Sequence, residues 1–378
     1  MAAFDTVDHD ILIEVLYHCG VRDSALALFK SYLEGRFQQV VIGGETSVSS
    51  AVRYGVPQGS VLGPILFLVY THSLASLLAA HGVDYHIYAD DCQIYLPIVD
   101  IAESKNMITA LMHDIKVWML ERKLKLNESK TEVMVIKGNL RTNITQDFGV
   151  LNVGFSALAP TEIVRNLGVC FDQQLSFRKQ IDMVVKSCFL QIRNIYAVKK
   201  YLDHDCLHTL VHSLVMSRID YCNSLYVSLP NYSLRKLQSV INRSARLVCS
   251  LPPRIPTTGY LIDLHWLPIK ARIEFKICLL AFKALKYGEP SYLANLLTHQ
   301  DATQGMALRT SDDPFRLVEP RAISERHFSN RAFSYTAPRL LNRLPVSIKE
   351  IDSLDLFKSK LKSYLFTRAY NLTDRSVN

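Results

Sequence analysis

One stretch limits what this chain can become more than any other: Val83–Leu96, V-D-Y-H-I-Y-A-D-D-C-Q-I-Y-L. Two β-prone runs, Val83–Tyr88 and Cys92–Leu96, flank Ala89-Asp90-Asp91, the pattern of a hairpin with carboxylates at its tip. Adjacent aspartates repel each other, so a turn that carries two of them needs solvent or a cation to screen the charge. Hard oxygen ligands of this kind suit Mg²⁺ or Mn²⁺, which take a few carboxylates and leave positions open for phosphate oxygens. A lone Asp-Asp is also an ordinary acidic turn, because Asp is a common turn residue. What surrounds it has to decide.

The chain has 378 residues, 49% of them hydrophobic, with 15 glycines and 14 prolines, which predicts a folded protein with room for two or more domains. Its eight cysteines are scattered without C-x-x-C spacing, which excludes a zinc ribbon or a dense disulfide framework and points to a reducing, intracellular setting. The start, M-A-A-F-D-T-V-D-H, shows no secretory signal pattern. Val61–Ala80 has the length of a membrane span and no formal charge, but Pro64 and the Thr71-His72-Ser73 triplet favour a buried helix, and no membrane association is expected. The net charge of +8 is unevenly spread: residues 1–159 carry 12 Lys+Arg against 17 Asp+Glu, whereas residues 160–378 carry 31 against 18. An acidic part joined to a basic part fits a metal-using catalytic body beside a polyanion track.

Along the chain, 11–34 reads as helix with a break near Gly20, and 37–42 with 48–54 as strands around Gly43-Gly44. A loop at 55–60, a helix over 61–80, the hairpin, a long amphipathic helix over 101–124 and a strand at 131–137 follow. The mixed order predicts an α+β layer, helices on one face of a largely antiparallel sheet. Beyond 166 the texture is helical, at 176–200, 205–226 and 234–250. A proline-rich break at 251–256 precedes another helix ending near Lys286 and a tail helix over 353–366.

Four other signatures surround the Asp-Asp turn. They are Ala3-Phe4-Asp5-Thr6-Val7-Asp8-His9, Val56-Pro57-Gln58-Gly59-Ser60-Val61-Leu62-Gly63-Pro64, Leu126-Asn127-Glu128-Ser129-Lys130-Thr131-Glu132 and Leu167-Gly168-Val169-Cys170-Phe171-Asp172. With Tyr88-Ala89-Asp90-Asp91 they resemble, in order, the palm motifs of a reverse transcriptase, most closely those of LINE-type, non-long-terminal-repeat retrotransposons. Five motifs in register over residues 1–172 make chance a poor explanation. Later runs, such as Leu264-His265-Trp266-Leu267-Pro268 and Ala337-Pro338-Arg339, look like the carboxy-terminal part of such elements.

The resemblance implies a polymerase palm at 1–175, a helical thumb-like region at 176–298 and a carboxy-terminal retroelement region at 299–378. It implies RNA-directed DNA synthesis with an RNA template, a DNA primer, deoxynucleoside triphosphates and Mg²⁺ or Mn²⁺, and its habits point toward the nucleus. By the same resemblance Asp90 and Asp91 hold metal, and Lys130 meets the pyrophosphate. Phe4 lies under the sugar, Pro57, Gln58 and Gly59 pack against the nascent base pair, and Leu167 and Gly168 touch nucleic acid. Arg235, Lys236, Arg243 and Arg246, spaced along one helix, are candidates for tracking a phosphate backbone, and equally for a solvated face. His208 and His212 have the i, i+4 spacing of a metal pair without the glutamate of H-E-x-x-H, and read as ordinary helix residues.

One departure stands out. The family's first metal-binding aspartate precedes the phenylalanine by five residues, and counting back from Phe4 places it two positions before Met1. Asp5 is the second aspartate of that run, not the first. The expectation is therefore an amino-terminally truncated reverse transcriptase with an impaired metal site; the alternative is a catalytically inactive nucleic-acid-binding protein derived from a retroelement.

Overall fold

The computed structural model describes residues 3–57, 59–136, 148–153, 156–300, 313–320 and 328–372. The chain divides into two compact units, Met1–Val135 with Asn143–Thr161, and Ile136–Thr142 with Glu162–Asn378. Both mix helices with small antiparallel ladders, so the chain is α+β.

In the first unit, the helices α1 (His9–His18) and α2 (Asp23–Leu33) flank Gly20, whose φ of +93° suits glycine at a helix end. The strands β1 (Phe37–Gln38), β2 (Val41–Ile42), β3 (Glu45–Thr46) and β4 (Ser50–Ala51) form an exposed arm that turns at Gly43-Gly44, pairing β2 with β3 and β1 with β4. The apolar segment forms two helices, α3 (Leu62–Thr71) and α4 (Ser73–Ala80). By length and composition Leu62–Ala80 is long and apolar enough to cross a membrane. Its polar centre is satisfied locally: Thr71 Oγ1 donates to Phe67 O at 2.9 Å, and Trp118 Nε1 donates to Ser73 Oγ at 3.0 Å.

Next come β5 (Asp84–Tyr88), β6 (Asp91–Tyr95) and α5 (Ile101–Glu121), the last started by Asp100, whose carboxylate accepts from Glu103 N at 2.8 Å. One buried cluster, Leu12, Leu16, Leu66, Phe67 and Tyr70 among others, joins α1 to α3. Another, with Leu74, Leu78, Leu111, Ile115 and Trp118, joins α4 to α5 and receives Tyr85, Ile87 and Ile94 from the hairpin. The short strands β7 (Leu151–Val153) and β8 (Ser156–Leu158) close the unit.

The second unit opens with the hairpin of β9 (Ile163–Asn166) and β10 (Val169–Asp172). The helices α6 (Arg178–Val198), α7 (His204–Val211), α8 (Asn231–Val248), α9 (Ile269–Tyr287), α10 (Phe333–Asn342) and α11 (Leu354–Tyr370) follow. One continuous apolar core runs through all six helices, from Ile181 and Ile192 on α6 to Phe357 and Leu361 on α11.

Three expectations need correction. The antiparallel strands do not join into one sheet with helices on a face; among the described residues they form five separate two-stranded ladders, because no third strand reaches a free edge of any pair. The segment Thr131–Ile136 is not a strand: among the described residues it makes one backbone bond to a neighbouring segment, Thr161 N to Val133 O at 2.8 Å, and Val135 is held by side-chain packing on Phe148 and Leu151. Lys137 lies outside the described residues. The expected helix over 205–226 is α7 followed by a π-helical turn at His212–Met216 and two short helical turns, the break being left-handed backbone at Cys222, φ +51°.

Candidate active site

The β5–β6 hairpin pairs Asp84 with Tyr95, His86 with Gln93 and Tyr88 with Asp91, leaving Ala89 and Asp90 as the two turn residues. Strand alternation turns Tyr85, Ile87 and Ile94 onto the α4–α5 cluster and leaves Tyr88, Asp90 and Asp91 exposed. Ala89 has φ +53°, a position at which two-residue hairpins favour glycine; for an alanine it costs about 1–2 kcal/mol. The packed core face fixes the register, and the register puts the strained turn and both carboxylates at the tip. Neither Asp90 nor Asp91 has an ion pair among the described residues.

Phe4 sits in a 3-10 turn at Ala3–Thr6 and stacks on Phe67 of α3, ring centroids 4.4 Å apart. The backbone around it binds the second motif directly: Val56 N donates to Phe4 O at 2.9 Å and Gly55 N to Val7 O at 2.7 Å, while His9 Nε2 meets Gly55 O at 2.8 Å. Gly55 has φ +88°, and a Cβ there would lie 2.8 Å from Asp5 Cα. The loop then locks itself onto α3, Ser60 Oγ donating to Pro57 O at 2.6 Å and accepting from Gly63 N at 3.0 Å. Gly59 is exposed with φ +77°. Gln58 lies outside the described residues.

Asp8, only 3% exposed, caps α1 by accepting from Ile11 N at 3.1 Å and receives Lys123 Nζ at 2.7 Å on its other oxygen. Burial pushes this carboxyl up, but the Lys123 ammonium and the Ile11 N–H outweigh burial and hold it below the usual carboxylate range. The Tyr70 hydroxyl accepts from Asp8 N at 3.4 Å and donates to Arg122 O, so α1, α3 and the end of α5 meet at one polar knot. Asp8 is therefore structural.

Lys130 ends a 3-10 turn at Glu128–Lys130; its ammonium is exposed and has no acidic partner among the described residues, and no hydrogen bond ties it to Asp90 or Asp91. In the second unit Leu167 (φ +45°) and Gly168 (φ +81°) make the two-residue turn between β9 and β10, and Leu167 O accepts from Tyr221 Oη at 2.7 Å. Of the basic residues on α8, Arg235 and Arg243 are exposed and have no ion-pair partner among the described residues, Lys236 pairs with Asp182 at 2.5 Å, and Arg246 donates to Ile255 O at 3.1 Å. Arg246 thus ties the proline-rich loop to α8. The His208 and His212 rings lie with centroids 4.5 Å apart, tilted 41° to each other, against Trp266, a packing contact. Burial lowers the pKa of His212.

Sequence reasoning missed Gly55, Tyr70 and the Asp8–Lys123 pair. Gly55 had a visible signal, a glycine between a strand-like run and the loop; Lys123 had none, since 115 residues separate it from Asp8. It also missed Asp172, whose carboxylate accepts from Ser176 N at 2.9 Å and Phe177 N at 2.8 Å and so shapes the turn into α6. Asp90 and Asp91 offer hard oxygen donors, exposed and free of protein cations, and so fit a divalent cation; among the described residues no third His, Cys, Asp or Glu completes a group with them.

Comparison with known proteins agrees with these motifs. Residues 1–171 match the family model described as "Reverse transcriptase (RNA-dependent DNA polymerase)". The chain is 25% identical over 245 residues to "RNA-directed DNA polymerase from mobile element jockey" of Drosophila funebris, covering 63% of this chain and 26% of that protein. It is 27% identical over 198 residues to "Probable RNA-directed DNA polymerase from transposon BS" of Drosophila melanogaster, covering 51% and 21%. To "Retrovirus-related Pol polyprotein from type-1 retrotransposable element R1" of Nasonia vitripennis it is 25% identical over 224 residues, covering 57% and 65%. The chain thus spans less than two thirds of the length of each of these relatives. Motif order, the exposed carboxylates on the hairpin and these matches agree in making residues 1–171 similar to the reverse transcriptase domains of mobile-element RNA-directed DNA polymerases.

Proposed function

We propose that the first unit is the palm of an RNA-directed DNA polymerase, followed by a helical thumb-like region at 176–298 and a carboxy-terminal region at 299–378. The observation that carries this is the β5–β6 tip, where register and strain combine to present Asp90 and Asp91 to solvent with no cationic side chain paired to them among the described residues. In this reading Asp90 and Asp91 hold Mg²⁺ or Mn²⁺, which when bound activates the primer 3′-hydroxyl and stabilises the leaving pyrophosphate. The Phe4 ring, fixed by Phe67 and by the Val56 N–H on its own carbonyl, is a rigid floor for the sugar of the incoming deoxynucleoside triphosphate. In the same reading Pro57, Gln58 and Gly59 are assigned to the nascent pair, Lys130, which has no acidic partner among the described residues, offers an ammonium to phosphate, and Leu167 with Gly168 are assigned to nucleic-acid contact. The template is RNA and the site of action intracellular, in the nucleus.

Two carboxylates hold a metal pair weakly, and no third donor joins them among the described residues, so the 378-residue chain by itself is expected to synthesise slowly or not at all. Primer extension on poly(rA)/oligo(dT) with Mg²⁺ tests this. Any incorporation should vanish in Asp90→Ala; incorporation that this variant leaves intact would overturn the assignment. A second reading, nucleic-acid binding without catalysis, is favoured by the 31 basic against 18 acidic residues over 160–378. It requires affinity to fall steeply with salt in filter binding, and a flat response would sink it.

A further inference from the structure

The solvent face of α6 carries a pattern that the proposed chemistry does not use. Lys186, Phe189, Arg193, Tyr196 and Lys200 follow one another at spacings of three and four residues, all exposed, cation and ring alternating. On α6, which ends at Val198, Lys186 to Tyr196 fall within an arc of about 80° at 100° per residue and form a line of about 15 Å at 1.5 Å per residue; Lys200, in the 3-10 turn Lys199–Tyr201, extends it to about 20 Å. The rings reach solvent to different degrees: Phe189 is 39% exposed, Tyr196 66%, and Tyr201 just beyond them 76%. Neither Phe189 nor Tyr196 is among the buried residues of the helical core, and the Tyr196 hydroxyl makes no hydrogen bond among the described residues.

The charges are unspent as well. Asp182, the single acidic residue of α6, is taken by Lys236 at 2.5 Å, and Lys186, Arg193 and Lys200 have no acidic partner among the described residues. Lys200 instead places its ammonium 4.7 Å from the centre of the Tyr201 ring. Past the end of the line, Asp203 is occupied as the cap of α7 and Asp205 contacts His204. A face that only keeps a helix in water would carry polar residues between its charges, with acids at i±3 or i±4. Here rings fill those places.

The geometry points to this stripe as a binding surface for single-stranded nucleic acid, with Phe189 and Tyr196 stacking unpaired bases and Lys186, Arg193 and Lys200 neutralising phosphates. Alternating cations and rings suit a single strand, whose bases have free π-faces; a duplex keeps its bases stacked inside and would leave the two rings unused. At about 3.4 Å per stacked nucleotide, a 20 Å line accommodates about six. The inference rests on the reverse transcriptase reading only for the class of ligand, either the template ahead of synthesis or the displaced strand.

The test is fluorescence anisotropy with the full chain and labelled oligo(rU), oligo(dT) and a duplex of the same length, in EDTA and without deoxynucleotides. Replacing Phe189 or Tyr196 by Ala should weaken single-strand binding by about 5- to 150-fold each and change duplex binding little. Tyr196→Phe, which keeps the ring, should bind as wild type. The variant Lys186→Gln/Arg193→Gln/Lys200→Gln should lower the slope of log affinity against log salt by about 2. Tighter binding of oligo(rU) assigns the stripe to RNA and tighter binding of oligo(dT) to DNA; both support it. Wild-type single-strand affinity in Phe189→Ala/Tyr196→Ala, or equal losses on single strand and duplex, overturns it. Because no catalysis is measured, such a failure removes this surface and leaves the Asp90 assignment to primer extension.

Discussion

The two units solve the problem of holding a shape in different ways. The helical unit buries one continuous apolar core that runs through all six of its long helices. The first unit is held by small separate clusters and by polar ties between them: the Gly55 contacts, the Asp8–Lys123–Tyr70 knot and the self-bonded Ser60 turn. A unit built of small clusters leaves surface and turns free for chemistry, and the β5–β6 tip is such a place. The cost is that its integrity depends on a few irreplaceable positions, whereas the helical core spreads its stability over many.

The two tryptophans make this contrast measurable, since Trp118 is buried in the first unit and Trp266 in the second. The largest effect is expected from Phe357→Ala. Phe357 is 1% exposed and stacks on Phe282 at 4.0 Å, so its loss should cost about 3–5 kcal/mol and lower the unfolding midpoint reported by Trp266. If Trp118 reported an equal shift, the units would not unfold separately and the contrast would fail. Next comes Gly55→Ala, which combines left-handed backbone with a 2.8 Å approach to Asp5. It should cost about 3 kcal/mol, seen in the Trp118 signal of a Trp266→Phe background; a loss below about 1 kcal/mol would show that the first two motifs are not pinned there.

Asp8→Asn should cost about 1–2 kcal/mol near neutral pH, through a weakened cap and a lost Lys123 partner. Its sign with pH follows from the lowered carboxyl pKa. The folded state holds Asp8 ionised below its unfolded range, so its contribution is full above about pH 4 and fades as pH falls through the folded value. Wild type and variant should therefore draw together in urea melts as pH falls below the usual carboxylate range, and a gap that does not narrow with falling pH would contradict the ion pair. The smallest effect is Ala89→Gly. Relief of about 1–2 kcal/mol of backbone strain is partly offset by the greater freedom of glycine in the unfolded chain, about 0.4–1 kcal/mol. A net gain of roughly 0.5 kcal/mol is expected, and a loss would mean that the alanine methyl packs usefully at the tip.

Much of the fold was legible because it is local. Period-3.6 patterns marked α1, α2, α5, α6 and α11, and Gly43-Gly44 marked the arm's turn. The strand reading of 131–137 failed over its described part, Thr131–Ile136, for a physical reason: β-prone composition makes a strand only where another strand offers its edge, and among the described residues none does. Arg246 showed the same blindness. Helical spacing put it in line with Arg235 and Arg243, but the carbonyl of Ile255 that it holds comes from a loop whose position the spacing cannot supply.

By itself the sequence determined the β5–β6 hairpin, its register and the place of Asp90 and Asp91 at its tip. Alternation of apolar and polar residues over adjacent strands leaves one register that buries the apolar set. It also carried the resemblance to reverse transcriptases, through five motifs in order. Only the tertiary structure decided that Gly55 joins the first motif to the second, that Asp8 is a buried cap held by Lys123, and that the strands remain as separate pairs. Those facts depend on which distant segments meet, and neither periodicity nor propensity carries that information along the chain.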